Sequence, residues 1–243
     1  MMTRQIALAL LTVLAFFIPA LATAEPQRIL FVGDELLDVS DIAPQFAALA
    51  KAMGRDVQVE VVSKPKYTLE QHLADEGTQA TLAKGWSYVV MEQTPALTPE
   101  DSARLEASAR RLAQRAWASS SHPALLMTWP PLTSWRAFPE AITSARSAAE
   151  KADAVLVPAA EAWMRAMSND KNAGLYSGGV RPSARGNELT LLTLWFSLYP
   201  AGPQEFNQDY VTRLCRALGI EQLRREAWVD FATRAIDEPL AFH

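Results

Sequence analysis

The chain has 243 residues, a net charge of −4 at neutral pH and one cysteine. Because acids outnumber bases and the Arg residues are scattered, the sequence lacks the basic footprint of a nucleic-acid-binding protein. The single Cys215 excludes an internal disulfide, and its apolar helical context predicts a buried side chain. None of the three His residues has the spacing of a zinc or haem site, so we expect no metal and no cofactor. These residues are His72, His122 and His243.

The first 24 residues have the pattern of a secretion signal. Arg4 precedes an almost unbroken apolar run from Ile6 to Ala22, and Ala22-Thr23-Ala24 has the small-x-small form of a cleavage site. The alternative is an uncleaved anchor, but the run is short for a membrane span and contains Pro19. We expect residues 25–243 to form a single exported domain of net charge −5, since cleavage removes only Arg4, with no stable span and a periplasmic or secreted location.

Short apolar runs alternate with longer amphipathic stretches through the rest of the chain. The predicted strands cover 28–33, 57–63, 86–93, 124–129 and 154–159. The predicted helices cover 44–54, 68–85, 98–119, 138–152, 160–169, 183–200, 204–219 and 221–236. Five nearly continuous apolar strands between helices indicate a three-layer α/β/α fold with a five-stranded parallel sheet. Functional residues are then expected where the strands end, at their carboxyl edge.

Three segments carry a resemblance to a known family. They read ILFVGDELLDVSDIAPQFAALAKAMGR (29–55), YTLEQHLADEGTQATLAKGWSYVVMEQ (67–93) and LYSGGVRPSARGNELTLLTLWFSLYP (175–200). In this order they resemble the conserved blocks of the SGNH/GDSL-type hydrolases, across nearly the whole chain after residue 24. The resemblance implies the flavodoxin-like fold of that family and a hydrolytic site built from Ser, Asp and His.

The residues that the resemblance assigns to catalysis are replaced here. Glu35 stands at the position of the nucleophilic Ser, Gly178 at that of the Asp, and Arg181 at that of the His. A carboxylate forms no alkoxide, Gly offers no carboxylate, and an arginine stays protonated and cannot act as a general base. We therefore expect the esterase mechanism of the family to be lost. We also predict that Glu35 and Arg181 form an ion pair across the old site.

The remaining positions of the family site are also altered. The Gly of the second block aligns with Lys66, and the polar residue of the third block aligns with Glu92 or Gln93. We expect no catalytic residue, and the ligand-binding candidates are Asp34, Glu35, Lys66, Glu92 and Arg181. For Glu92 a structural role, pairing with Lys66 and contact with a ligand cation or hydroxyl stay open. Asp34 is expected to brace the turn by accepting backbone N–H groups.

Other chemistry-bearing residues have structural explanations. His72 lies in a predicted helix and is expected to make a structural hydrogen bond rather than to replace the missing base. Ser183 is expected to cap the helix that follows it. Trp129 and Trp135 flank the loop after the fourth strand, where core packing is favoured over an aromatic wall for a sugar or acyl group.

Three functions remain open on the sequence. The favoured one is an exported protein that has lost hydrolytic activity and binds an unidentified small molecule, a glycan or an envelope protein. The alternative is a divergent hydrolase that uses Glu35 and Glu92 as an acid/base pair on an ester or a glycoside. A structural subunit of a larger complex is the third, and an exposed apolar patch over the old cleft would favour it.

Overall fold

The computed structural model describes residues 25–202 and 204–242 of the chain. The predicted signal sequence, 1–24, and His243 lie outside the described residues. No helix in the described ranges is both long and apolar enough to cross a membrane.

Five parallel strands form the central sheet, as predicted. They are β1 (Gln27–Gly33), β2 (Val57–Ser63), β3 (Tyr88–Met91), β4 (His122–Leu126) and β5 (Val155–Val157). Their spatial order is β2-β1-β3-β4-β5, with β1 paired to β2 on one side and to β3 on the other. β1 buries Ile29, Leu30, Phe31 and Val32 completely, because helices cover both faces of the sheet.

The described residues form ten α-helices. They are α1 (Glu35–Ser40), α2 (Ile42–Ala52), α3 (Leu69–Ala74), α4 (Glu76–Leu82), α5 (Pro99–Ala118), α6 (Phe138–Ala152), α7 (Ala159–Asn169), α8 (Ala184–Leu198), α9 (Gln208–Ala217) and α10 (Arg225–Asp237). Short 3₁₀ helices cover Leu132–Ala137 and Gln222–Arg224. A two-stranded antiparallel hairpin, β6 (Tyr176–Ser177) and β7 (Arg181–Pro182), was not predicted.

Two apolar clusters, one on each face of the sheet, hold the layers together. The larger cluster packs α2, α7, α8 and α10 against one face and includes the fully buried Trp163 and the nearly buried Trp195. The second packs α5 against the other face. Cys215 is buried in the larger cluster, as predicted.

Side-chain caps explain where several helices begin. Thr68 and Gln71 form the predicted capping box of α3, and Thr98 caps α5 with Pro99 in its first turn. Ser183 accepts the Gly186 N–H at the start of α8, as predicted.

The predicted helix over 68–85 is two helices in the structure. Asp75 adopts an extended conformation between α3 and α4, and its carboxylate accepts the Thr78 N–H at 2.7 Å. The chain therefore stops one helix and caps the next at the same residue, because Asp favours an N-cap over a helix interior.

Candidate functional site

The candidate site lies at the carboxyl edge of the sheet, around the turn from β1 into α1. The Asp34 carboxylate accepts the Leu36 N–H at 2.8 Å, the Thr94 N–H at 3.1 Å and the Thr94 hydroxyl at 2.8 Å. These bonds cap α1 and fasten the turn to the loop after β3, so Asp34 braces the turn as predicted. Its carboxylate is engaged by the protein and is buried.

Glu35, at the nucleophile position, directs its carboxylate to a backbone donor. Oε2 accepts the Lys66 N–H at 2.5 Å. This bond is the first cause of a pKa lowered below the usual value for Glu35, followed by the Glu35 N–H and then by the positive charges of Lys66 and Arg181. The side chain is thus held as an anion.

The backbone at Lys66 has the left-handed conformation that usually favours glycine, with φ at +62°. Lys66 was aligned with the Gly of the family's second block, whose N–H holds the oxyanion in hydrolysis. Here the donor is present, but a carboxylate of the same chain already occupies it. The Lys66 N–H is therefore not free to bind another acceptor while this bond is present.

The predicted ion pair between Glu35 and Arg181 is wrong. In the described parts of the chain no ion pair within 4.0 Å joins these two residues. The Arg181 charge still lowers the pKa of Glu35, as the last of the five causes. The carboxylate instead bonds the Lys66 N–H, and the Arg181 side chain is exposed.

Glu92, which follows β3, lies beneath this turn and has no exposed surface. One carboxyl oxygen, Oε2, accepts the Asp34 N–H at 3.1 Å, and the other, Oε1, has no hydrogen-bond partner within the described chain. Burial raises the pKa of Glu92 well above its usual value, and the Asp34 charge raises it further. The predicted alternative of pairing with Lys66 is wrong, since the described ion pairs include none between them.

The absence of a side chain at Gly33 makes room for Glu92. A Cβ on Gly33 would lie 2.4 Å from Glu92 Oε2 and 2.8 Å from the Glu92 backbone oxygen. Both distances are shorter than any ordinary contact, so the glycine is required by packing rather than by its backbone angle.

His72 makes the structural contacts that were predicted for it. The ring is fully buried, with Nε2 3.0 Å from the Gly33 carbonyl oxygen and Nδ1 3.1 Å from the Thr78 hydroxyl. Burial lowers the pKa of His72, which favours a neutral ring. His72 therefore connects α3 and α4 to the carboxyl end of β1.

Gly178 lies at the tip of the β6–β7 hairpin, with φ at +64°. The hairpin is anchored to the loop after β4, because the Tyr176 hydroxyl donates to the Pro130 carbonyl at 2.7 Å and the Leu132 N–H to the Gly179 carbonyl at 2.8 Å. The position of the family Asp is thus a glycine turn without a carboxylate.

The two Trp residues of the neighbouring loop have different environments. Trp129 is buried and stacks on Trp163, with ring centroids 3.7 Å apart, which confirms core packing for this residue. Trp135 is 36 % exposed and contacts Phe138, so it lies on the surface. Only Trp135 is available to a ligand.

No serine hydroxyl hydrogen-bonds a His ring among the described residues. The hydroxyl that bonds a His ring there belongs to Thr78, which is fully buried beside His72. No group of three or more metal-binding side chains occurs in the part of the chain that the structure covers. The local chemistry is that of an anion held on backbone N–H groups beside two cationic side chains.

Comparison with solved structures identifies this fold. The chain aligns over 71 % of its length with 99 % of a protein from Slackia heliotrinireducens assigned to the SGNH hydrolases, at 24 % identity and a TM-score of 0.60. A DUF4886 family protein from Bacteroides uniformis aligns over 90 % of this chain and 98 % of its own, at 14 % identity and a TM-score of 0.65. Axe2, an acetylxylan esterase from Geobacillus stearothermophilus, aligns over 72 % and 95 %, at 14 % identity and 0.59.

The chain therefore has the SGNH-hydrolase fold, and the predicted fold class is confirmed. No family model and no curated protein matches the sequence. At these identities the similarity shows the fold, and the chemistry of the site depends on the residues that this chain places there.

Proposed function

We propose that this protein is an exported, non-hydrolytic member of the SGNH fold that binds a partner at the former catalytic site. The observation that carries the proposal is the hydrogen bond from the Lys66 N–H to the Glu35 carboxylate. The nucleophile is missing, and its replacement occupies a donor that an oxyanion would need.

The other two positions support the same conclusion. Arg181 remains protonated at working pH, so it cannot accept the proton of an attacking hydroxyl. Gly178 has no group to orient a base. When triad members are removed, the rate that is left comes from the oxyanion hole and from substrate binding. In this chain the carboxylate of Glu35 competes for the oxyanion hole as well.

The alternative hydrolase with a Glu35 and Glu92 pair is less well supported. Such chemistry needs two carboxyl groups that face one cleft and leave space for a sugar ring or a water molecule. Glu92 is fully buried, and its Oε2 is bonded to the Asp34 N–H. Glu35 has a lowered pKa and is a poor proton donor at neutral pH.

Labelling with a fluorophosphonate, read by intact mass, tests the loss of hydrolysis. The expected result is no adduct, and no turnover of a short-chain nitrophenyl ester above a heat-denatured sample. An active esterase of the same fold serves as the positive control. A stoichiometric adduct on one serine would overturn the proposal.

Export is a separate part of the proposal and has its own test. We propose cleavage after Ala24, on the apolar run and the small-x-small pattern. Expression of the full chain in a bacterium, followed by fractionation and N-terminal sequencing, should give a periplasmic or secreted product that begins at Glu25. A product that retains Met1 in the membrane fraction would contradict it.

A further inference from the structure

The surface around the former catalytic site carries an unusual share of exposed apolar side chains. We define the apolar rim as Val39, Leu132, Trp135 and Val180, with exposed fractions of 41 %, 48 %, 36 % and 57 %. Val39 lies on α1, which contacts β7, and the Leu132 N–H bonds the Gly179 carbonyl beside Val180. The rim therefore joins the nucleophile turn, the hairpin and the 3₁₀ helix.

Three cationic side chains accompany the rim. Lys66, Arg136 and Arg181 are exposed, and none forms an ion pair with another described residue. Two carboxylates lie in the same region: Glu35 accepts the Lys66 N–H, and Asp38 accepts the Ser63 hydroxyl at 2.7 Å. The three cations outnumber them, so positive charge remains in excess. Since the whole chain has a net charge of −4, the local surplus of positive charge is not a result of composition.

From this combination we propose that the apolar rim and its three cations form a docking surface for an acidic polypeptide segment that carries apolar side chains. This inference rests on the proposed function and names the partner class of the same site. Trp and Arg are enriched among the residues that dominate protein–protein binding, and Trp135, Arg136 and Arg181 supply them here. Complementary charge would steer the acidic segment onto the surface.

The shape of the surface favours a polypeptide over a small molecule. Sites for small ligands are concave and bury most of the ligand. Val180, at the tip of the β6–β7 hairpin, is the most exposed member of the rim. A protruding apolar side chain is buried by a partner that surrounds it.

The charge pattern favours a polypeptide over a membrane. Clusters that bind anionic lipid usually contain about four to eight Lys and Arg residues. Here three cations are interspersed with the carboxylates of Glu35 and Asp38. Protein interfaces combine apolar contacts with surrounding polar and charged groups.

An array of short synthetic peptides that vary in net charge and apolar content tests the inference on the purified protein. The expected result is selective binding of peptides that are both acidic and apolar, with affinity that falls as salt is raised. Arg181→Glu and Trp135→Ser should each weaken binding by at least about tenfold. Preference for basic peptides, or for apolar peptides regardless of charge, would overturn it.

Matched control variants lie on α5, away from this edge of the sheet. Arg111→Glu changes the same charge at an exposed position, and Trp117→Ser removes a Trp that is 42 % exposed near the amino end of β4. Both should bind the selected peptides like the wild-type protein. Equal losses in the control variants would show that the effect is not specific to the rim and would overturn the inference.

Two further measurements address the other occupants. Sedimentation of the purified protein should show a monomer. A dimer that the Trp135→Ser variant no longer forms would assign the rim to a second copy of the chain and overturn the inference. Vesicles should not bind the protein, whether or not they contain phosphatidylglycerol. Binding to the phosphatidylglycerol vesicles that Arg181→Glu abolishes would assign the surface to a membrane and overturn the inference. Failure of the peptide test, with no fluorophosphonate adduct, would reject the partner class while leaving the non-hydrolytic function in place.

Discussion

The Glu35 carboxylate accepts the Lys66 N–H across 31 residues of sequence, and this bond joins the start of α1 to the loop that follows β2. Glu35, which aligns with the nucleophile position of the family, thus accepts a hydrogen bond from the backbone. Lys66, the donor residue, has a left-handed backbone conformation.

Replacing Glu35 by Ala should have a small effect on stability at neutral pH. The Lys66 amide is partly solvated, so water can take the place of the carboxylate, and we expect a loss below about 1 kcal/mol in urea unfolding. Because the pKa of Glu35 is lowered in the folded state, its contribution is present above the usual Glu pKa and lost as pH falls through the folded value. Glu35→Ala should lose that acidic part of the pH dependence. A loss of several kcal/mol would show a structural role that the contacts do not explain.

Restoring the triad should restore nucleophile reactivity only when all three residues are present. Glu35→Ser alone supplies a hydroxyl without a base, so it should give no fluorophosphonate adduct. The triple variant Glu35→Ser, Gly178→Asp, Arg181→His adds a base and a carboxylate three residues before it. A Cβ added at Gly178 would meet no other atom within 4 Å, and Asp tolerates the positive φ there better than most residues. Slow adduct formation at the introduced serine is expected; equal labelling of the single and triple variants would contradict this prediction.

Glu92→Gln should change how stability depends on pH above the usual pKa of Glu. Because the pKa of Glu92 is raised on folding, the unfolded chain releases this proton at a lower pH than the folded protein does. Its stabilising contribution is therefore complete below the usual Glu pKa and is lost as pH rises toward the folded value. Glu92→Gln should remove this decline in the free energy of unfolding, measured with urea at a series of pH values above the usual Glu pKa.

Glu106→Gln is the matched control for Glu92→Gln. Its hydrogen bonds from Lys151 and Ser147 lower the pKa of Glu106, so its contribution is lost at acidic pH instead. A Glu106→Gln profile that flattened above the usual Glu pKa would show that the two effects cannot be assigned to single carboxyl groups.

Asp34→Asn should destabilise the fold although the side chain keeps its size. The amide group presents an N–H₂ donor toward the Thr94 N–H or the Leu36 N–H, and one buried bond is lost whichever way it turns. We expect a loss of about 1–3 kcal/mol in the free energy of unfolding. Asp41→Asn is the control, because Asp41 precedes α2 without a side-chain cap bond. Equal losses in both variants would argue against the bracing role.

The sequence predicted the elements whose signals are local. Thr68 with Gln71, Thr98 with Pro99, and Ser183 mark helix starts through contacts within three residues, and the apolar runs mark all five strands. The missed break at Asp75 was also local, because Asp-Glu-Gly-Thr is an N-cap pattern inside an otherwise helical stretch.

The site was harder to predict because its contacts join distant parts of the chain. Opposite charges at Glu35 and Arg181 suggested an ion pair, but the acceptor is instead bound by the backbone N–H of Lys66, 31 residues away in sequence. The burial of Glu92 likewise depends on Gly33 in another strand. Charge pairing and strand position alone therefore do not predict which donor binds Glu35 or that Glu92 is buried.

The turn that carries residue 35 is fastened by Asp34, whose carboxylate accepts the Thr94 N–H and the Thr94 hydroxyl. The bonds that hold this turn are therefore separate from the side chain at position 35. Such a division makes the chain a natural starting point for directed evolution, because libraries at position 35 can explore new reactivity while the supporting bonds stay untouched.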